Sequence, residues 1–190
     1  EMPLEEDIKK AEKQPENMFQ LFAYLLLYTG CRRGEALALT WDDIDFDNNL
    51  IYINKQLQFQ SNKPVIENFT KSKAGIRTVP MLENLRAALL PFKKNSGYVF
   101  SVNRNLLTSK QFRDGWKSLG FSSTPHQFRH AYATTLYNAK IDAKTAQSLL
   151  GHSSVSVTLD VYTHISKNVA NSAKEQLNNY ISQSKISQKS

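Results

Sequence analysis

The run MFQLFAYLLLY, Met18–Tyr28, constrains this chain more than any other feature. Apolar side chains fall on nearly every face of the helix it would form. Such a helix belongs at the centre of a core, with the remaining elements packed around it. The run is too short to span a bilayer. Gly30 interrupts it. Upstream, MPLEEDIKKAEK has Pro just before an acidic first turn, an acceptable helix start, and Pro15 ends that helix or begins the next.

Downstream the periodicity changes. A short helix is expected over Arg33–Leu39. Then LIYINKQLQF, Leu50–Phe59, alternates and is rich in Ile and Tyr, which is a strand pattern. PVIENFTK and IRTVPM read as two more strands, with KSKAG (Lys71–Gly75) as the hairpin turn between them. LENLRAALLPFKKN returns to helical spacing, and GYVF is a short extended piece. From Thr108 onward the expected helices are 108–119, 125–139, 142–150, 153–161 and 166–181. The fold class is mainly α with one small three-stranded antiparallel β-sheet, expected as a meander. Apolar residues recur every four positions at Ile165, Val169, Ala173, Leu177 and Ile181, a narrow stripe on the last helix. The plain reading of such a stripe is that the helix packs back on its own domain. The polar end, Ser182–Ser190, reads as a flexible tail.

The 190 residues suit one domain with a sizeable core. Charge points to a partner: 24 Lys and Arg against 17 Asp and Glu give +7, which favours a polyanion, most simply nucleic acid. The acidic residues crowd into the first sixteen positions and WDDIDFD (Trp41–Asp47), so the remainder is more basic than the average. The first residues carry no secretory signal pattern. The single Cys31 cannot form an internal disulfide and fits a reducing compartment.

Four segments could carry chemistry. In TGCRRGEALALTW (Thr29–Trp41) two Arg follow a Gly break. They either pair with Glu35 on the surface or clamp a phosphate, which a guanidinium matches through two oxygens at once. In TKSKAGIRTVP (Thr70–Pro80) a hairpin Lys is either solvated or delivers a proton to a leaving oxygen. In TPHQFRHAYAT, Thr124 and Pro125 take the cap and first-turn positions of a helix. His126 and Arg129 are then on one face. His126 and His130 are four apart, but Gln127 stands where a zinc-protease pattern needs Glu. In SLLGHSSVSVTLDVYTHI, Gly151 suits a left-handed cap and Ser153 or Ser154 a new helix start. His152 is thereby fixed at a junction, and Tyr162 falls ten residues later, near a helix end. No Asp pair is set for two metal ions. The inventory suits phosphoryl transfer in which Tyr replaces water and guanidinium groups replace a metal.

These segments, in this order, resemble the tyrosine recombinase (phage integrase) family. TGCRRGE, TKSKAG, HQFRH, LLGH and TLDVYTH follow its catalytic-domain pattern. The resemblance covers about Pro3 to His164. It implies that Arg32, Lys71, His126, Arg129 and His152 are catalytic, with Tyr162 as nucleophile. Arg33 would face elsewhere, Glu35 would support the site without reacting, and Lys73 is the alternative to Lys71. It implies residues 1–181 as one catalytic domain, with the family's N-terminal DNA-clamping domain absent from this chain. It further implies no metal and no cofactor, double-stranded DNA as partner, and a homotetramer on synapsed DNA, the isolated domain being monomeric, and it offers docking of the last helix on a neighbouring protomer as the alternative to packing on its own domain. The implied setting is cytoplasmic, in a bacterium or encoded by a phage. The activity would be cleavage and rejoining through a 3′-phosphotyrosyl link, for integration or excision of a mobile element. A type IB topoisomerase-like activity, or a non-catalytic DNA-binding regulator on the same scaffold, are the alternatives.

Overall fold

The computed structural model describes residues 2–69 and 75–187. Its centre is helix α2, Met18–Thr29, where the apolar run requires it. Asn17 caps the start: its side-chain oxygen accepts from the amides of Phe19 and Gln20, both at 3.0 Å. Leu21 through Leu27 are all buried. Phe22 is 1% exposed and meets Phe100, Phe112 and Trp116 edge-on, with centroids 5.0, 5.3 and 6.2 Å away. Around α2 stand α1 (Glu5–Ala11), α3 (Arg33–Ala38), α4 (Glu83–Leu89), α5 (Ser109–Ser118) and α6 (Pro125–Asn138), while α7 (Ala143–Leu150) and α8 (Val155–Ser187) pack on α6 in a second apolar cluster. Among the described residues no helix is long and apolar enough to cross a membrane.

The β structure differs in partnership from the expected meander. The run Leu50–Phe59 is divided at Asn54 into β2 (Leu50–Ile53) and β3 (Lys55–Gln60). With β1 (Ile44–Asp45) and β5 (Arg77–Pro80), β2 forms an antiparallel three-stranded sheet of order β1-β2-β5. β3 pairs instead with β4 (Lys63–Asn68). The tight turn of that hairpin is Ser61-Asn62, both at positive φ. The strands flanking KSKAG therefore lie in different sheets, and residues 70–74, with the expected turn, lie outside the described residues. A further small ribbon joins β6 (Ser101–Val102) to β7 (Asn105–Leu106).

The three-stranded sheet delivers one charge to the interior. Ile51 pairs with Val79 and Ile53 with Arg77, so the inward row of β5 ends on a buried arginine. The last helix is a second departure. The two helices expected over 153–161 and 166–181 are one continuous α8, and no Gly or Pro lies between Val155 and Ser187 to end it. Tyr162 is thus two turns into a long helix and not near an end. Of the expected stripe, Leu177 is 62% exposed, so its own domain does not cover that turn. The side chains of Val169, Ala173 and Ile181 lie outside the described residues.

The edge-on contacts of Phe22 join α2 to α5 and to the segment before β6. Phe22→Ala is expected to lower unfolding free energy by about 3–5 kcal/mol in denaturant titration. A loss below about 1 kcal/mol would show that this aromatic cluster is not the centre of the core.

Candidate active site

The site is assembled where α2, α3 and α7 have their ends. α2 stops at Gly30, in the left-handed region at φ 60°. A side chain there would be strained, and its Cβ would stand 2.4 Å from Tyr132 Cδ1. The chain then runs extended through Arg32 and enters α3. Glu35, in the first turn of α3, is 1% exposed. Its carboxylate accepts from the Arg32 amide (2.7 Å) and Arg32 Nη1 (2.7 Å), and from Arg77 Nη1 (3.0 Å) and Nη2 (2.8 Å). A buried carboxylate is tolerated because both oxygens are shared by guanidinium groups.

Helix ends supply the remaining anchors. Arg129, on α6, is 5% exposed and donates to the carbonyls of Gly30 (2.5 Å) and Leu150 (2.6 Å). Arg32 Nη2 donates to Gly151 O (2.8 Å), and Arg77 Nε to Leu149 O (2.7 Å). α7 ends at Gly151 with φ 66°, and a Cβ there would meet Arg77 Nη1 at 2.7 Å. The last carbonyls of a helix lack partners and sit at the negative end of its dipole. Three arginines satisfy them here, and each uses only part of its donor set.

The electrostatics follow from this crowding. Burial, then the neighbouring charge of Arg32, pushes Arg129 down to about 10, still protonated at neutral pH. Burial, then Arg129, Arg32 and Arg77, pushes His152 down to about 4, so its ring is neutral. His152 Nδ1 lies 2.9 Å from Oγ1 of the fully buried Thr158, which fixes the ring across the α7–α8 junction. His126 is likewise lowered by burial and then Arg129, and its ring stands edge-on to His130 at 4.8 Å. Thr124 starts α6 as expected, its amide donating to Gln127 Oε1 at 2.8 Å.

The structure therefore brings Arg32, Arg129, His126 and His152 to one place. Arg32, Arg129 and His126 line a cleft of about 380 Å³. Arg33, expected to face elsewhere, lines the same cleft. Lys71 and Lys73 lie outside the described residues. Tyr162 stands apart. Its hydroxyl donates to Ile141 O at 3.1 Å, on the loop between α6 and α7, and its ring meets Tyr137 at 5.2 Å. Burial, then Asp142, raises its pKa and keeps the phenol protonated. Tyr132 packs in the neighbouring apolar cluster, where burial pushes its hydroxyl up to about 12.

Arg77 and Thr158 carry structural roles that sequence reading missed. The available signal was the alternation RTVP, which sets Arg77 on the same side as Val79 and so demands a buried acid.

The fold matches known structures. The Tn1549 transposon integrase (residues 82–397), in complex with circular intermediate DNA, superposes with a TM-score of 0.72 at 24% identity, over 93% of this chain and 67% of that one. The catalytic domain of bacteriophage HP1 integrase gives 0.60 at 23% identity, over 86% and 87%. Among curated proteins, a tyrosine recombinase XerC-like protein of Caldanaerobacter subterraneus subsp. tengcongensis is 31% identical over 92% of this chain and 53% of its own length. The chain thus spans about half the length of that relative. The Phage integrase family profile matches residues 4–169. The fold class is that of the catalytic domains of tyrosine recombinases, and the chain belongs to the phage integrase family.

Burial raises the Glu35 carboxyl, but the hydrogen bonds and charges of Arg77 and Arg32 outweigh it and leave the carboxyl below its ordinary 4.5. A folded value below the unfolded one stabilises the protein above about pH 4.5, and the gain is lost as pH falls through the lower folded value. Glu35→Gln should cost about 3–5 kcal/mol at pH 7, because it leaves buried guanidinium charge uncompensated. Its stability should also fall less steeply than wild type below pH 4.5 in urea titrations. Parallel acid limbs for the two proteins would contradict the assignment.

Proposed function

We propose that this chain is the catalytic domain, residues 1–181, of a site-specific DNA recombinase. It cleaves and rejoins strands through a 3′-phosphotyrosyl intermediate. The observation that carries the reading is the group of three arginines anchored on helix-end carbonyls and one buried acid, two of which, Arg32 and Arg129, line a cleft with donors left over. A phosphodiester is the ligand that this charge and geometry suit.

In the reaction Tyr162 Oη attacks the scissile phosphorus, and the bond from phosphorus to the 5′ oxygen breaks. Arg32, Arg129 and His152 hold the non-bridging oxygens, with neutral His152 as an N–H donor. His126 takes the phenolic proton, and Lys71 gives a proton to the departing 5′ oxygen. A 5′-hydroxyl of the partner strand reverses the steps, so the phosphodiester bond is conserved and no nucleotide triphosphate is consumed. Before attack the Tyr162 hydroxyl leaves Ile141 O, a bond worth about 1 kcal/mol.

The partner is double-stranded DNA, bound by four protomers across two synapsed duplexes in a cytoplasmic, DNA-associated setting. The element served is mobile, a reading supported by the likeness to a transposon integrase. Exchange between two duplexes separates this activity from relaxation of one duplex by a topoisomerase-like enzyme.

Tyr162→Phe should retain DNA affinity and abolish the covalent adduct on a nicked suicide duplex. Stability should change by no more than about 1 kcal/mol, from the lost hydroxyl bond. An adduct that persists would place the nucleophile elsewhere, and its absence in wild type as well would favour a DNA-binding regulator. For the lysine, a 5′-bridging phosphorothiolate has a leaving group that needs little protonation. It should restore cleavage to Lys71→Ala and not to Arg129→Ala. Rescue confined to Lys73→Ala would reassign the general acid.

A further inference from the structure

We infer that Arg33, unused in the mechanism above, binds a DNA phosphate next to the scissile one and positions the strand in the cleft. This rests on the reading of the cleft as a phosphodiester site. Arg33 is exposed and lines that cleft with Arg32, His126 and Arg129. Its guanidinium carbon lies 5.5 Å from the Phe112 ring centroid and 5.8 Å from that of Phe59. Phe112 is 5% exposed and wedged against Phe22, so this platform is rigid. Aromatic faces hold a guanidinium without using its N–H donors.

The contrast with the neighbouring arginines decides its role. Arg32 and Arg77 share the Glu35 carboxylate, and Arg129 is tied to two carbonyls. Among the described residues no carboxylate pairs with Arg33. Its charge is therefore uncompensated, while its position is fixed. Gly34 tightens the frame: a Cβ there would stand 2.6 Å from Leu57 O, so α3 lies directly on β3 and the Phe59 side of the cleft cannot slide past Arg33. Arg32 and Arg33 leave adjacent positions of the chain into one cleft, so with Arg32 on the scissile phosphate the phosphate that meets Arg33 is a neighbour on the same strand. Arg33 is a positioning residue in this scheme, since it touches no reacting atom.

The test uses this chain and a nicked suicide duplex built from the DNA flanking its own element. Arg33→Gln should keep the wild-type melting temperature and slow adduct formation roughly tenfold, the loss of one charge-assisted hydrogen bond. The slope of log affinity against log salt should shrink by about 0.9, and Arg33→Lys should restore it. Methylphosphonates placed singly within two nucleotides of the scissile position should reveal one phosphate whose neutralisation slows wild type and leaves Arg33→Gln unchanged. A wild-type salt slope in Arg33→Gln, or effects that add at every phosphate, would overturn the inference while adduct formation by wild type left the recombinase reading standing. No adduct from wild type would remove that reading and the inference together.

Discussion

The carboxylate of Glu35 is the interaction on which the site depends. It is buried, it accepts four hydrogen bonds, and it holds Arg32 and Arg77 to each other across α3 and β5. Without it, guanidinium groups from three separate elements would repel one another in a poorly hydrated space. One carboxylate does not neutralise them. The carbonyls of Gly30, Leu149, Leu150 and Gly151 supply the rest as dipoles, which orient the arginines without cancelling their charge. The result is a positively charged recess in which, among the described residues, each arginine keeps donors unused. A second acid in the same place would stabilise the fold further and spoil the recess as an anion site.

The helix ends explain why two glycines bracket the chemistry. Gly30 and Gly151 turn the chain in the left-handed region, and both expose carbonyls to arginines of other elements. These caps were readable in the sequence, because Gly after an apolar run and Gly before a Ser pair are strong stop signals. So were α2, from its apolar circumference, and the start of α6, from Thr124-Pro125. Arg32, His126, Arg129 and His152 were readable as an ordered set, and the structure puts them together.

What the sequence did not disclose has physical causes. Alternation along Leu50–Phe59 continues through Asn54, since Ile51, Ile53 and Leu57 all face inward. Alternation reports which face is buried and is blind to which strand is the partner, so the change of sheet left no mark. The continuity of α8 was hidden by polar residues around Thr163 and His164, which are compatible with a helix and with a loop. Arg33 was misjudged because its hold is aromatic: Phe59 and Phe112 lie far from it in sequence. The resting place of Tyr162 on Ile141 O depends on how α7 and α8 pack, and no local pattern encodes that.

Tyr162 and the arginines are neighbours in the fold without touching, so the central claim is that one phosphate brings them into a single reaction. Trypsin separates the candidates, because Tyr162 is the only tyrosine between Lys144 and Lys167, while Tyr132 and Tyr137 share the fragment between Arg129 and Lys140. The decisive measurement is mass spectrometry of tryptic peptides from an adduct trapped on a suicide duplex in excess chelator. The account predicts nucleotide mass on the Tyr162 peptide, at a yield that the chelator does not change. Nucleotide on the Tyr132–Tyr137 peptide, or an adduct that forms only when a divalent metal is restored, would contradict it.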